Sequence, residues 1–562
     1  MDKPSAQFTQ LLSDHWEAAL RRDPLLATQC GDPRYNDRLP EAGEEFYASW
    51  HAQLKTFRQR QAGIDRSALD PDQQLNYDIF ARALDSEIAE LSIPYYRIQL
   101  HRTGSFEATL PMLPDQIPLN NARDYENYLS RLEGLRRYFE QNIELMRLGL
   151  RTGYLPPRCI LEGVADSIRQ HIVTDPARSA YYQPFEHFPV SIEVAERERL
   201  AGAARQVILG SIVPVYQALL KFLLEEYLPA ARSSVGVSEL PEGRTFYQHR
   251  IRHFTTLDLT PEAVHATGQQ EVRRIRAEME KVIRDTGFEG NFRQFVEFLR
   301  SDPRFYVQTP EALMEKAALV AKRMDGELPR IFKTLPRLPY GIREIPAYSA
   351  PGNTTAYYQP GTGDGTIAGS YYVNTYDLKS RPLYELEALT LHEAVPGHHL
   401  QIALQQELDL PAFRRFVGFV AFIEGWALYA ERLGLETGFY QDSYSNFGRL
   451  SYEMWRACRL VVDTGMHALG WTRQQAIDFM AENTSLTLLN IANEVDRYIA
   501  WPGQALAYKT GELKIRELRR LAESELGEKF NLREFHDAVL LAGAVPLDVL
   551  ESRVREWVAG LK

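Results

Sequence analysis

The sequence predicts a mainly helical protein carrying one small antiparallel β-sheet. Three observations lead there. Apolar residues recur at spacings of three and four through most of the chain. Two of the periodic segments open on Thr-Pro (Thr260-Pro261 and Thr309-Pro310), a capping side chain followed by proline at the first helical position. One stretch, residues 340–376, drops that periodicity and is rich in Gly, Pro, Thr and Tyr.

In chain order, the periodicity predicts helices over residues 8–22, 70–91, 122–149, 192–228, 261–286 and 310–332. Within 340–376, Thr-Ala-Tyr-Tyr and Tyr-Tyr-Val read as strands and the glycines as turns. Such a sheet lies just before the segment of greatest chemical interest. Its edge either pairs with an extended peptide or closes a purely structural hairpin. No linker is evident. A soft division near residue 245, after VGVSELPEGRT, separates an N-terminal helical half, 1–245, from a half with the candidate site, 246–562.

With 562 residues and 44% hydrophobic content the chain can bury a large core. A formal net charge of -11 argues against a nucleic-acid partner, because phosphate binding requires a basic face. The three cysteines, Cys30, Cys159 and Cys458, form no CxxC pair, so neither a thiolate zinc site nor a disulfide framework is expected. No apolar run of membrane-spanning length and no signal-like N-terminal segment is read, so no membrane partner and a cytoplasmic location are expected. A homodimer is the default expectation for assembly.

The chemistry concentrates in His392-Glu393-Ala394-Val395-Pro396-Gly397-His398-His399. Zinc hydrolases commonly place two histidines four apart on a helix, with a glutamate after the first as general base. Here His392 and Glu393 begin that pattern within YELEALTLHEAV, for which Ser380 is the expected N-cap and Pro382 lies in the first turn. The fourth position onward is Pro396, which cannot ligate. In a regular helix His399 would lie about 10.5 Å along the axis from His392, and His398 would point about 240° away. Proline breaks helical hydrogen bonding and glycine tolerates unusual dihedrals, so a break at Pro396-Gly397 is expected. Such a break favours His398 as the second ligand and leaves His399 as a supporting or substrate-contact group.

Glu424 is the only charge in FVGFVAFIEGWALY. A carboxylate in such a helix needs a partner, either a metal ion or an arginine. Gly425 beside it lets another backbone approach closely. Glu424 follows His398 by 26 residues, room for a helix, a turn and a second helix.

HEAVPGHHLQ followed by IEGWALYAERLG resembles the bacterial family named domain of unknown function 885 (DUF885). The likeness extends over DPLLATQCGDPRYNDRLP, RHFTTLDLTPEAVH, GTIAGSYYVNT, RLVVDTGMHALGWTRQQAIDFM and RYIAWPGQALAYKTGELKI. That family in turn looks like a divergent relative of the gluzincins, the group of thimet oligopeptidase, angiotensin-converting enzyme and the thermostable carboxypeptidases. The resemblance implies a large helical body with a deep central cleft. It implies one zinc ion per chain on His392, His398 and Glu424, Glu393 as general base, and a short peptide as substrate. The chain departs from the relatives in lacking the compact HExxH.

Transition-state charge in such a reaction needs a donor besides the metal. Tyr508, in ALAYKTGELK, and His467, four residues after Asp463, are the candidates; the resemblance favours Tyr508. Arg497, beside Tyr498, is the candidate receptor for a substrate carboxylate. The same zinc chemistry would also serve a nonpeptide amide or ester, and a noncatalytic peptide-binding relative is the third reading.

Overall fold

The computed structural model describes residues 3–102, 104–346, 350, 354–362, 365, 367–416 and 418–562. Parts of the stretch read above for turns, and Val417 in the apolar run, lie outside the described residues. The chain divides into two compact units, Met1–His249 and Arg250–Lys562. Both are mainly helical.

In the first unit, helix α1 (Ala122–Thr152) starts where Asn121 accepts a hydrogen bond from the Asp124 amide, and stops at Gly153, whose φ of +86° favours glycine. Its Leu132, Leu135, Phe139 and Met146 share one core with Leu200, Ala204, Ile208, Tyr216 and Leu219 of α2 (Val194–Ala230). Two wider π-turns, Ile208–Ile212 and Leu223–Tyr227, interrupt α2. One expectation is corrected here. α2 is long and apolar enough to cross a membrane by length and composition alone. Lys221 and scattered polar residues disguise this in the sequence; the buried residues fall on one face, with Arg205, Gln217 and Glu225 exposed on another.

His15, in the same unit, packs its ring against Trp50, Phe57 and Phe80. Both its ring nitrogens are buried without a hydrogen-bond partner among the described residues. Burial lowers the imidazole to about 4. The folded state therefore binds fewer protons than the unfolded one between pH about 6.5 and about 4, and stability falls as pH drops through that window. His15→Phe is expected to raise stability by about 1–3 kcal/mol at neutral pH, by removing unsatisfied polar atoms, and to flatten the acid limb. Thermal melts between pH 4 and 7 read both effects; a variant less stable than the parent at neutral pH would contradict the assignment.

In the second unit, α3 (Pro261–Asp285) and α4 (Pro310–Ile331) begin as the Thr-Pro signals predict. Thr260 accepts from the Ala263 amide and Thr309 from the Ala312 amide. The sheet follows, with β1 (Tyr340–Glu344), β2 (Ala356–Gln359) and β3 (Gly369–Val373) in the order β1-β3-β2. It is mixed rather than antiparallel: β3 runs antiparallel to β2, with Tyr358 opposite Tyr371, but parallel to β1, with Ile342 opposite Tyr371. Parallel pairing needs a long crossover. The chain between β1 and β3 provides it and carries β2 on the way, a choice of edge that turn residues do not encode.

Ala356, Tyr371 and Val373 of the sheet pack on Leu386 and Leu389 of α5 (Leu383–Glu393). This helix starts later than expected, with Pro382 at its N-cap position. Ser380 instead closes a preceding short turn, donating its hydroxyl to the Asp377 carbonyl. The residue before a proline avoids helical dihedrals, and Arg381 is accordingly non-helical, so the helix cannot begin before Pro382. Then come α6 (His398–Glu407), α7 (Val420–Leu433), α8 (Ser443–Ala468), α9 (Leu488–Ala500) and α10 (Ala507–Leu526). α7 and α10 cross where a Cβ on Gly425 would lie 2.5 Å from Gly511 Cα, and one on Gly511 would lie 1.8 Å from the Ala421 carbonyl oxygen. Glycine on both sides permits that contact.

Candidate metal centre

The helix carrying His392 ends at Glu393 and a new one starts at His398. Ala394 and Gly397 take non-helical dihedrals between them, and the Val395-Pro396 peptide is cis. The turn doubles back tightly: a Cβ on Gly397 would lie 1.8 Å from the His392 carbonyl oxygen. It is secured from outside by Trp426 of α7, whose buried indole donates to the Pro396 carbonyl at 2.8 Å. The Pro-Gly break thus replaces the i,i+4 spacing by a reversal.

That reversal brings the imidazoles of His392 and His398 together, ring centroids 4.9 Å apart and nearly perpendicular. Glu424 from α7 completes the group. Its carboxylate lies 3.7 Å from His392 Nε2 and 3.5 Å from His398 Nε2, and one ligand atom from each residue falls within 4.8 Å of the others. Among the described residues this is the group of His, Cys, Asp and Glu side chains so arranged. A tetrahedral zinc with bonds of about 2.0–2.1 Å holds its ligand atoms about 3.3 Å apart. The observed separations, and the donor set of two imidazoles and a carboxylate, fit that ion.

The electrostatics point the same way. Burial opposes charging His392, yet Glu424 and Glu431 outweigh it and raise the imidazole to about 9. Burial likewise opposes ionisation of Glu424, but the adjacent imidazoles of His392 and His398 hold it well below the usual carboxylate range. Glu424 and Glu431 together favour positive charge at His392.

Glu431 went unnoticed in the sequence. It is buried, and its Oε1 accepts from His392 Nδ1 at 2.8 Å, leaving Nε2 for a ligand bond. A carboxylate behind a ligating histidine fixes its tautomer and orientation. The available signal was spacing, since Glu431 lies seven residues after Glu424, two turns along one helical face. Glu431→Gln is expected to weaken zinc binding by about 10–100-fold with the fold retained. Chelator competition measures this, and an unchanged affinity would remove Glu431 from the account.

The remaining candidates are distributed as follows. Glu393, half-buried, directly follows His392 at the helix end. His399 points elsewhere: it is buried, Tyr340 packs against its ring at 4.5 Å, and its Nδ1 lies 2.9 Å from the Tyr358 hydroxyl. Burial lowers that imidazole to about 4. Tyr508, partly exposed on α10, feels the charge of Glu424, and burial raises its phenol, keeping it protonated. His467 is fully buried, its Nε2 3.0 Å from the Tyr498 carbonyl oxygen. Asp463 accepts from the Gly503 amide with both oxygens. Arg497 spends Nε and Nη2 on Glu494 and Nη1 on Gln504. Tyr498 is buried and donates to Glu494 while accepting from Trp455 and Arg459.

Fold and site together define a class: a helical protein with a candidate centre of two histidines and a glutamate, the histidines split by a Pro-Gly break. Residues 24–554 match the family described as "Bacterial protein of unknown function (DUF885)", and the chain belongs to that family. A crystal structure titled as a "putative lipoprotein" from Colwellia psychrerythraea is similar over 100% of both chains, at 29% identity and a TM-score of 0.93. A second solved structure, described as that of a "putative lipoprotein of unknown function" from Shewanella oneidensis, shares the fold at 17% identity and a TM-score of 0.69, covering 97% of this chain and 99% of its own. No curated protein matches the chain.

Proposed function

We propose that this protein is a zinc-dependent hydrolase of peptide bonds in short peptides, of the carboxypeptidase or oligopeptidase kind. The observation that carries the reading is the convergence of His392, His398 and Glu424 with Glu431 fixing His392 from behind. His392 and His398 through Nε2 and Glu424 through a carboxylate oxygen would hold the ion. Bound zinc supplies Lewis acidity, acidifying a water and polarising a carbonyl. Glu393 accepts the proton of the attacking water and returns it to the leaving amine. Tyr508, kept protonated, donates to the oxyanion, and its partial exposure on α10, three residues from the crossing with α7 at Gly511, favours it over the enclosed His467. The gluzincin kinship and deep cleft implied by the sequence resemblance belong to this reading.

Glu393→Gln in zinc-loaded protein is expected to lower kcat by about 10²–10⁴-fold on any cleaved peptide while leaving zinc content intact. Full activity in that variant would exclude Glu393 as base. Turnover of simple esters or blocked amides but no peptide would favour a nonpeptide substrate, and zinc binding without turnover would favour a noncatalytic binding protein. The lipoprotein description of the Colwellia neighbour sets a cell-envelope location against the cytoplasmic one expected from the sequence. Fractionation of native cells distinguishes them.

A further inference from the structure

We propose that Arg459 anchors a carboxylate of the substrate, so that the site takes peptides or related amides carrying a free carboxylate group. The inference rests on the reading of the metal centre as a substrate-binding site, and it deepens that reading by naming what is recognised.

Arg459 projects from α8 with a side chain only 4% exposed. Its Nε donates to the Tyr498 hydroxyl at 2.9 Å and its Nη2 to Glu494 at 3.2 Å. Its Nη1 is buried and has no hydrogen-bond partner among the described residues. A buried donor on a charged group left unsatisfied carries its desolvation cost uncompensated, so a ligand that satisfies it is favoured. The guanidinium is held by aromatic rings, 4.4 Å from the Tyr508 centroid and 4.5 Å from that of Trp455. Packed in this way it is pre-oriented, and Nη1 is the donor left for a ligand.

The charge balance asks for an anion. Arg459 and Arg497 share one carboxylate, Glu494, which burial disfavours but the arginines hold ionised, at about 2. Two guanidinium groups against one carboxylate leave a surplus positive charge. Arg497 has its Nε, Nη1 and Nη2 engaged within the protein, so the anchoring role expected of it passes to Arg459, and Arg497 becomes a positioning residue for Glu494.

The cluster lies beside the candidate metal centre. Tyr508, whose ring covers Arg459, is also the phenol on which Glu424 acts. It sits on α10, which meets α7 at Gly511 and Gly425, the residue next to Glu424. Tyr508, which packs on Arg459, thus stands three residues from Gly511, where α10 meets the residue next to Glu424. Trp455, Glu494, Arg497 and Tyr508 around Arg459 retain partial exposure, so a ligand reaches Nη1 by displacing one of these partly exposed side chains.

The test uses the zinc-loaded full chain with Glu393→Gln, so that binding is read without turnover. N-acetyl tripeptides with the central residue varied are offered as free acids and as C-terminal amides, and retention is quantified by ultrafiltration and mass spectrometry. Free acids are expected to bind about tenfold or more tighter than neutral amides. Adding Arg459→Gln should abolish that preference with zinc content unchanged. Arg459→Lys, which keeps the charge but not the planar fork, should weaken the acids several-fold and spare the amides. If the retained amides are those with a central Asp or Glu, the carboxylate is a side chain and the proposal holds. Equal binding of acids and neutral amides, no binding of either, a preference that survives Arg459→Gln, or equal loss for acids and amides in both variants would overturn it. Failure of the wild-type protein to hydrolyse any peptide would sink the hydrolase reading alone, since the binding experiment does not depend on turnover.

Discussion

Gly397→Ala is expected to abolish zinc binding and to destabilise the second unit by about 3 kcal/mol or more. The added Cβ would sit 1.8 Å from the His392 carbonyl oxygen and 2.5 Å from that of Leu391. These are backbone atoms in the last turn of α5, with no rotamer to move aside. Relief requires the chain reversal to open, and opening it carries His398 away from His392 and Glu424. Metal analysis and thermal melting of the variant measure both consequences. A Gly397→Ala protein that binds zinc as the parent does would show that the reversal is not what assembles the centre.

Lys509→Met is expected to cost about 3–5 kcal/mol, the largest effect anticipated outside the centre. Lys509 is fully buried on α10 and lies 2.8 Å from Glu453, 2.9 Å from Glu512 and 3.0 Å from Glu271. Arg274 pairs with Glu271 and Glu453, and Arg449 and Arg516 reach the same cluster. Burial alone would discharge the lysine, but the three carboxylates keep it charged and hold its pKa above the usual value. Methionine preserves the volume and strands those carboxylates with less positive charge than they need. The cluster bears on the site because Tyr508 is the preceding residue. Urea denaturation reads the loss, and the further change Glu453→Gln should recover part of it. An unchanged denaturation midpoint in Lys509→Met would mean the ion cluster contributes nothing net.

Much of this fold is legible in the residues because its determinants are local. The Thr-Pro pairs mark the starts of α3 and α4, and the observed helix Pro71–Ser92 begins at its Asp70 cap close to the expected residue. The break between His392 and His398 is legible for the same reason, since proline and glycine act on their own backbone. What escaped depends on distant partners. β3 lies beside β1 in parallel because of where the crossover returns, which no turn residue states. Ser380 resembles a cap until Asp377 and Pro382 are taken into account. Glu431 and Arg459 sit in helices rich in apolar residues, and only tertiary contact distinguishes a carboxylate behind a histidine, or a guanidinium with a spare donor, from any other buried ion. The apolar content of α2 was hidden by its interspersed polar residues, and its packing role emerges only with α1 in place.

A zinc ion held by His392, His398 and Glu424 is the central element of the proposed function. Metal analysis of zinc-loaded protein, combined with X-ray absorption at the zinc edge, tests this most directly. The account predicts one zinc per chain in a shell of nitrogen and oxygen with the signature of two imidazoles, lost when Glu424 is replaced by alanine. Absence of stoichiometric zinc after loading, a sulfur-containing shell, or a shell unchanged by Glu424→Ala would contradict it.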